Sequence, residues 1–245
     1  MKKFLFLLLV FNVSFAQIAS DSIQKTTFQK VKPYIIPATL IAYGVIGIES
    51  DGLKFYNTEL RDELKEHIDE KITIDDFSQY FPVAAVYGLN AMGIEGKHNF
   101  KDRTVILTTS YLILTATILP LKTLTKVERP DGTSFNSFPS GHTATAFAGA
   151  EFLWQEYKDV SVWYGITGYI VATGTGAFRM YNNRHWLTDV AAGAGIGILS
   201  TKLAYIIQPH LSKWLFPNQD KTTTSTAAFP FYNGKEFGIG FAMQF

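Results

Sequence analysis

The sequence predicts an all-α fold: a membrane-embedded bundle of about six core helices, followed by a short C-terminal β-hairpin. Three observations carry this. Apolar stretches recur at about 33–50, 80–95, 103–121, 143–157, 160–178 and 186–207. Hydrophobic residues make up 47% of the 245 and charged residues 18%, a balance that folds rather than staying disordered. From Ala227 onward the apolar residues switch to a period of two.

Taken in order, Met1 to Ala16 reads as a secretory signal peptide. Lys2 and Lys3 supply the basic start, Phe4 to Val13 the apolar run, and Ser14-Phe15-Ala16 a small-residue cleavage site. The alternative is an uncleaved anchor, but roughly sixteen residues fall short of the ~20 that a span needs. Either way, export into or across a membrane is expected. Residues 17–32 are polar and read as a linker, 33–215 as the helical domain and 216–245 as a tail.

Arg103 to Leu121 is the cleanest candidate span. Val160 to Phe178 comes next, with Gly165, Gly168, Gly174 and Gly176 as close-packing points. The stretch 143–157 carries Glu151, Gln155 and Glu156, and 186–207 carries Asp189 and Lys202, so both are weaker. A mean hydropathy of +0.08 is modest for six full spans, which implies that some of these helices pack in protein rather than in lipid. Between the first two stretches, Thr58 to Lys71 places Leu60, Leu64 and Ile68 at helical spacing among charges, the pattern of a surface or interfacial amphipathic helix. At the other end, Asn233-Gly234 is a preferred two-residue hairpin turn, and Phe237, Ile239, Phe241, Met243 and Phe245 alternate after it.

Composition also excludes. A net charge of +1 without a basic cluster argues against a nucleic-acid partner. The absence of cysteine removes disulfide scaffolds, thiol catalysis and thiolate metal sites.

Three short blocks carry chemistry. In the first, Lys122 and Arg129 stand seven apart, two helical turns, before Pro130 stops any helix. Basic residues at the end of an apolar helix also complement its dipole and snorkel at a membrane surface. In the second, Pro139-Ser140-Gly141-His142 precedes an apolar helix. Ser140 can cap that helix, Gly141 permits close approach, and the free N–H groups make an anion site, although an ordinary capped helix would look alike. In the third, Arg179 is followed by His185 and Asp189. The last two are four apart and share one face if helical, so the carboxylate can fix the imidazole tautomer; a structural His–Asp pair has the same spacing.

Together the blocks resemble the type 2 phosphatidic acid phosphatase superfamily, which includes lipid phosphatases, bacterial acid phosphatases and vanadium haloperoxidases. The family pattern is Lys-x6-Arg-Pro, then Pro-Ser-Gly-His, then Ser-Arg-x5-His-x3-Asp. Lys122, Arg129, Pro130, Pro139, Ser140, Gly141, His142, Arg179, His185 and Asp189 match it in order and spacing. One position departs: Phe178 stands where the family has serine.

The resemblance implies a phosphatase without metal or other cofactor. His185 would be the nucleophile, Asp189 its orienting group and His142 the general acid. Lys122, Arg129, Arg179, Ser140 and Gly141 would hold the phosphate. Its substrate would be a lipid or polyprenyl phosphate at a membrane surface, with Phe135, Phe138, Tyr181 and Trp186 as aromatic neighbours or core. Haloperoxidase activity and non-catalytic phosphate binding are the alternatives. The resemblance also implies a site facing the periplasm, on a membrane protein or else a soluble periplasmic one. Lys97, Lys101 and Arg103 favour a cytoplasmic loop. That arrangement has 80–95 and 103–121 crossing and 33–50 remaining outside or re-entering.

Overall fold

In the computed structural model, residues 27–66, 73–217, 225–232 and 237–244 are described. The signal-peptide reading of 1–16 lies outside them. Met1–Pro33 and Tyr34–Phe245 form separate compact units, and of the first only the start of helix α1 is described.

Eight helices follow one another among the described residues: α1 (Thr27–Glu49), α2 (Asp51–Lys65), α3 (Ile74–Ser78), α4 (Phe81–Ala91), α5 (Phe100–Thr125), α6 (Gly141–Tyr157), α7 (Val162–Tyr181) and α8 (Leu187–Leu215). Helix α1 begins inside the polar stretch 17–32. The amphipathic segment begins earlier than Thr58, because Ser50 caps α2 by accepting from the Leu53 N–H. Leu53, Asn57, Leu60 and Leu64 turn inward from it at helical spacing, and Ile68 lies outside the described residues.

Helix α6 is the axis of the bundle, packing against α4, α5, α7 and α8. Its small residues allow this: Ala144, Ala146, Ala148, Gly149 and Ala150 are all buried. A Cβ at Gly197 of α8 would collide with the Ala144 carbonyl, and one at Gly193 with the Ser140 carbonyl, so α6 and α8 touch almost backbone to backbone. Of the α7 glycines, Gly165 abuts Trp154, Gly168 abuts Leu153, and Gly176 abuts Val190 and Thr143, whereas Gly174 faces open space.

The charges inside the bundle are paired, as burial demands. Glu151 meets Lys202 at 2.7 Å. At the far end of α6, Glu156 accepts from the Tyr205 hydroxyl at 2.7 Å, lies 2.7 Å from Nδ1 of His98, and pairs with Arg103 at 3.4 Å.

Among the described residues, three helices are long and apolar enough to cross a membrane: Val31–Glu49, Phe100–Thr125 and Leu187–Leu215. Ile36 and Ile46 on α1, Leu112 and Leu119 on α5 and Ile206 on α8 point outward, which suits a lipid-facing surface. This set differs from the expected one. Helix α4 has eleven residues, roughly 16 Å at 1.5 Å per residue, and is too short to cross, whereas α1 is long enough. Helix α7 is not among the three, since its glycines and threonines dilute its hydropathy. Helix α8 is among them on length and composition despite its charges, of which Asp189 sits in the first turn and Lys202 is paired with Glu151.

Beyond the helices, Ser225–Tyr232 (β1) and Phe237–Gln244 (β2) pair antiparallel, Tyr232 opposite Phe237. The Asn233-Gly234 turn lies outside the described residues.

Candidate active site

The site forms at the end of the bundle where α5 finishes, α6 starts, α7 finishes and α8 starts. Helix α5 stops at Thr125 because Lys126 takes a left-handed conformation, φ 49°. Lys122 is therefore on the last turn, but Arg129 is in a loop and not two helical turns further on. That loop reverses at Gly132, φ 70°, whose N–H donates to the Arg129 carbonyl at 2.9 Å. It then runs back, with the Arg129 N–H on the Ser134 carbonyl and the Ser137 N–H on the Val127 carbonyl. The reversal brings Asn136 between the two cations. Lys122 Nζ donates to the Asn136 carbonyl at 2.7 Å, and Arg129 Nε donates to Asn136 Oδ1 at 2.9 Å.

Ser140 is the N-cap residue of α6, but its hydroxyl makes no capping bond. It pairs with Thr143 Oγ1 at 2.8 Å, while its backbone N–H donates to the Asp189 carbonyl at 3.0 Å. Gly141 opens the helix, and a Cβ there would meet nothing within 4 Å. The start of α6 is thereby fixed to the start of α8 with open space beside it.

His185 and Asp189 do not share a helical face. Helix α8 begins at Leu187 with Trp186 as its N-cap residue, so His185 precedes it. Asp189 occupies the third helical position, where its Oδ2 accepts the Trp186 N–H at 2.9 Å. The same Oδ2 accepts the Ser137 hydroxyl at 2.5 Å. Nδ1 of His185 lies 3.7 Å from Asp189 Oδ2 and 3.4 Å from Ser137 Oγ. Since Ser137 donates to Asp189, its oxygen is free to accept Nδ1–H, a tautomer that leaves the lone pair of His185 on Nε2. Burial of His185 lowers its pKa to about 4; Lys122 and Arg179 push the same way, and Asp189 opposes them. The imidazole is thus neutral at physiological pH.

Arg179 is on the last turn of α7 and is buried. Its partners come from α3, a segment outside the three blocks: Nη1 donates to Asp75 and lies 3.6 Å from Asp76. Asp75 also accepts from Asn182 Nδ2 at 2.9 Å. His142, on the first turn of α6, has Nε2 2.9 Å from Asp76 Oδ1. Burial lowers the Arg129 pKa, and the like charges of Arg184 and Arg179 add to the effect, a sign of how closely the cations crowd together. Arg184 is itself paired with Asp131 at 3.0 Å.

Of the aromatic neighbours, Phe138 is core and Phe135 is exposed. The Trp186 indole donates to the Glu128 carbonyl at 2.8 Å and lies under the Arg61 guanidinium. Phe178 packs edge-on to Tyr181 with ring centres 6.1 Å apart, so an aromatic contact occupies the place of the family serine.

A buried imidazole, a buried carboxylate and several cations thus gather at one end of a helical bundle. Residues 117–213 match the PAP2 superfamily, and the resemblance read from the three blocks is borne out. The chain is 40% identical over 135 residues to the lipid A 1-phosphatase of Porphyromonas gingivalis; the match takes in 55% of this chain and 30% of that protein. The chain therefore spans under a third of the curated relative it matches. Among solved structures, Aquifex aeolicus LpxE is 23% identical with a TM-score of 0.47, covering 62% of this chain and 95% of its own. The transmembrane PAP2 type phosphatidylglycerolphosphate phosphatase from Bacillus subtilis is 18% identical with a TM-score of 0.49, covering 72% and 97%.

Proposed function

We propose that this protein is a lipid phosphate phosphatase that works through a phosphohistidine on His185 and needs no metal. The observation that carries this reading is the buried His185, whose Nδ1 is turned to Ser137 and Asp189 so that Nε2 is left to act. Nε2 attacks phosphorus, and the bond from phosphorus to the lipid oxygen breaks. His142 gives its proton to that oxygen. Water then attacks the phosphohistidine, His142 takes the water's proton, the P–N bond breaks and phosphate leaves. Lys122, Arg129 and Arg179, with the Gly141 N–H at the open start of α6, neutralise the charge on the phosphoryl oxygens; Ser140, expected to join them, instead places its N–H on the Asp189 carbonyl and its hydroxyl on Thr143. Such positioning and charge stabilisation supply most of the catalysis in phosphoryl transfer.

The site faces the periplasm in this reading. Lys97 and Lys101 lie exposed at the opposite end, where α5 starts, and a cytoplasmic position suits them. The lipid A 1-phosphatase relative favours a lipid A phosphate over a polyprenyl phosphate.

The test is phosphate release by the full-length protein in detergent with a chelator present. Lipid A 1-phosphate, phosphatidic acid, phosphatidylglycerol phosphate and undecaprenyl pyrophosphate form the panel. Release is expected from at least one of them, and it should vanish in His185→Ala and His142→Ala while both variants remain folded. Full turnover by His185→Ala would sink the assignment of the nucleophile.

A further inference from the structure

The short helix α3 enters the site from far away in sequence, and it is fixed there. Asp75 is buried and holds both Arg179 and Asn182. Ser78 Oγ lies 2.7 Å from the buried Thr175 hydroxyl on α7, and Gln79 Nε2 donates to the Asp76 carbonyl at 2.9 Å. These contacts leave the backbone of Asp76 little freedom. Its side chain is about half exposed and directs Oδ1 to within 2.9 Å of Nε2 of His142. Arg179 has no need of Asp76: Asp75 already serves it, and Asp76 stands 3.6 Å away.

We propose that Asp76 is a positioning residue for the general acid: by accepting Nε2–H of His142 it presents Nδ1–H to the leaving oxygen and sustains the imidazolium. The proposal rests on the reading of His142 as that acid. A general acid must be protonated before it can donate. The groups that face His142 are Arg179 from α7 and Asp75 and Asp76 from α3. Burial and Arg179 lower the His142 pKa, and Asp76, then Asp75, oppose them. The proton passes from Nδ1 to the departing oxygen, Asp76 remains a carboxylate, and His142 becomes the neutral base for the second step.

The test compares wild type, Asp76→Asn and Asp76→Glu, with kcat/KM measured against pH on a lipid phosphate and on alkyl and aryl phosphates that the wild type turns over. An aryl oxygen leaves without a proton, and kcat/KM reports the steps up to departure of the leaving group. Asp76→Asn is expected to lower kcat/KM on the lipid and alkyl esters about 10-fold or more, part of the ~10²–10⁴-fold that a positioned acid supplies. The alkaline limb should move to lower pH, aryl esters should be nearly unaffected, and Asp76→Glu should recover part of the loss. An equal change on alkyl and aryl esters would overturn the proposal. So would an unchanged pH profile, or a lower KM without a pH shift, which would mean that Asp76 only occupies the anion's seat. His185→Ala separates the two levels: activity surviving there defeats the phosphohistidine reading itself, whereas its loss beside a wild-type Asp76→Asn defeats only this inference.

Discussion

Ser137 donates its hydroxyl to Oδ2 of Asp189 over 2.5 Å, and through that bond the carboxylate reaches His185 indirectly. The direct approach of Asp189 to Nδ1 is 3.7 Å, longer than a hydrogen bond, while Ser137 Oγ stands 3.4 Å from the same nitrogen. Orientation of the His185 imidazole is shared between a carboxylate and a hydroxyl.

Ser137→Ala should therefore reduce kcat/KM roughly 10- to 100-fold, the equivalent of the ~1.5–3 kcal/mol carried by a hydrogen bond to a charged group. Thermal unfolding in detergent reports whether the fold persists. Wild-type turnover in this variant would mean that His185 is oriented without the hydroxyl.

The depressed pKa of His185 fixes the sign of an acid limb. The imidazole is nucleophilic when neutral, so kcat/KM is held down to a pH of about 4 by this group and falls below it. Stability moves in the same direction. The unfolded chain, with His185 near 6.5, binds more protons than the folded one between there and about 4, so this group's contribution is lost as pH falls through that window. Lys122→Met removes one of the charges that lower this pKa and should raise it. A titration of isotope-labelled His185 reads the shift directly; an unchanged value would remove Lys122 from the account.

Gly197→Val tests the seam between α6 and α8. The new side chain meets the backbone at Ala144 and Ala148, atoms that cannot rotate away. Overpacking of this kind costs about 1–3 kcal/mol, and a backbone obstacle puts the variant at the upper end of that range. The melting temperature should drop clearly relative to Gly174→Val, whose position is open.

The six matched ionisable residues were legible because the motifs are local: the spacing within each block survives any tertiary arrangement. Helical geometry, the reason first given for two of those spacings, is not how they work. Arg129 lies past the end of α5, and His185 lies before the start of α8. Asp75 and Asp76 escaped notice because they meet their partners 104 and 66 residues later in the chain. In sequence, Ile74-Asp75-Asp76-Phe77 looks like ordinary acidic capping of a short helix. Ser137 stands two residues before the second block, and a lone hydroxyl in a loop announces nothing. Among the stretches expected to cross, 80–95 forms α4, which is apolar yet brief, whereas 33–50 belongs to a helix of spanning length.

Asn136 gives the site a lasting property. Its backbone carbonyl sits on Lys122 and its side-chain oxygen on Arg129, two of the groups assigned to phosphate. If the proposed function holds, an anion arriving there does not enter an empty seat; it trades places with an occupant that is part of the chain. The affinity measured for any phosphate would then be a difference between two sets of contacts, and Asn136→Gly, which frees Arg129 but leaves the backbone carbonyl on Lys122, would read the side-chain share of it.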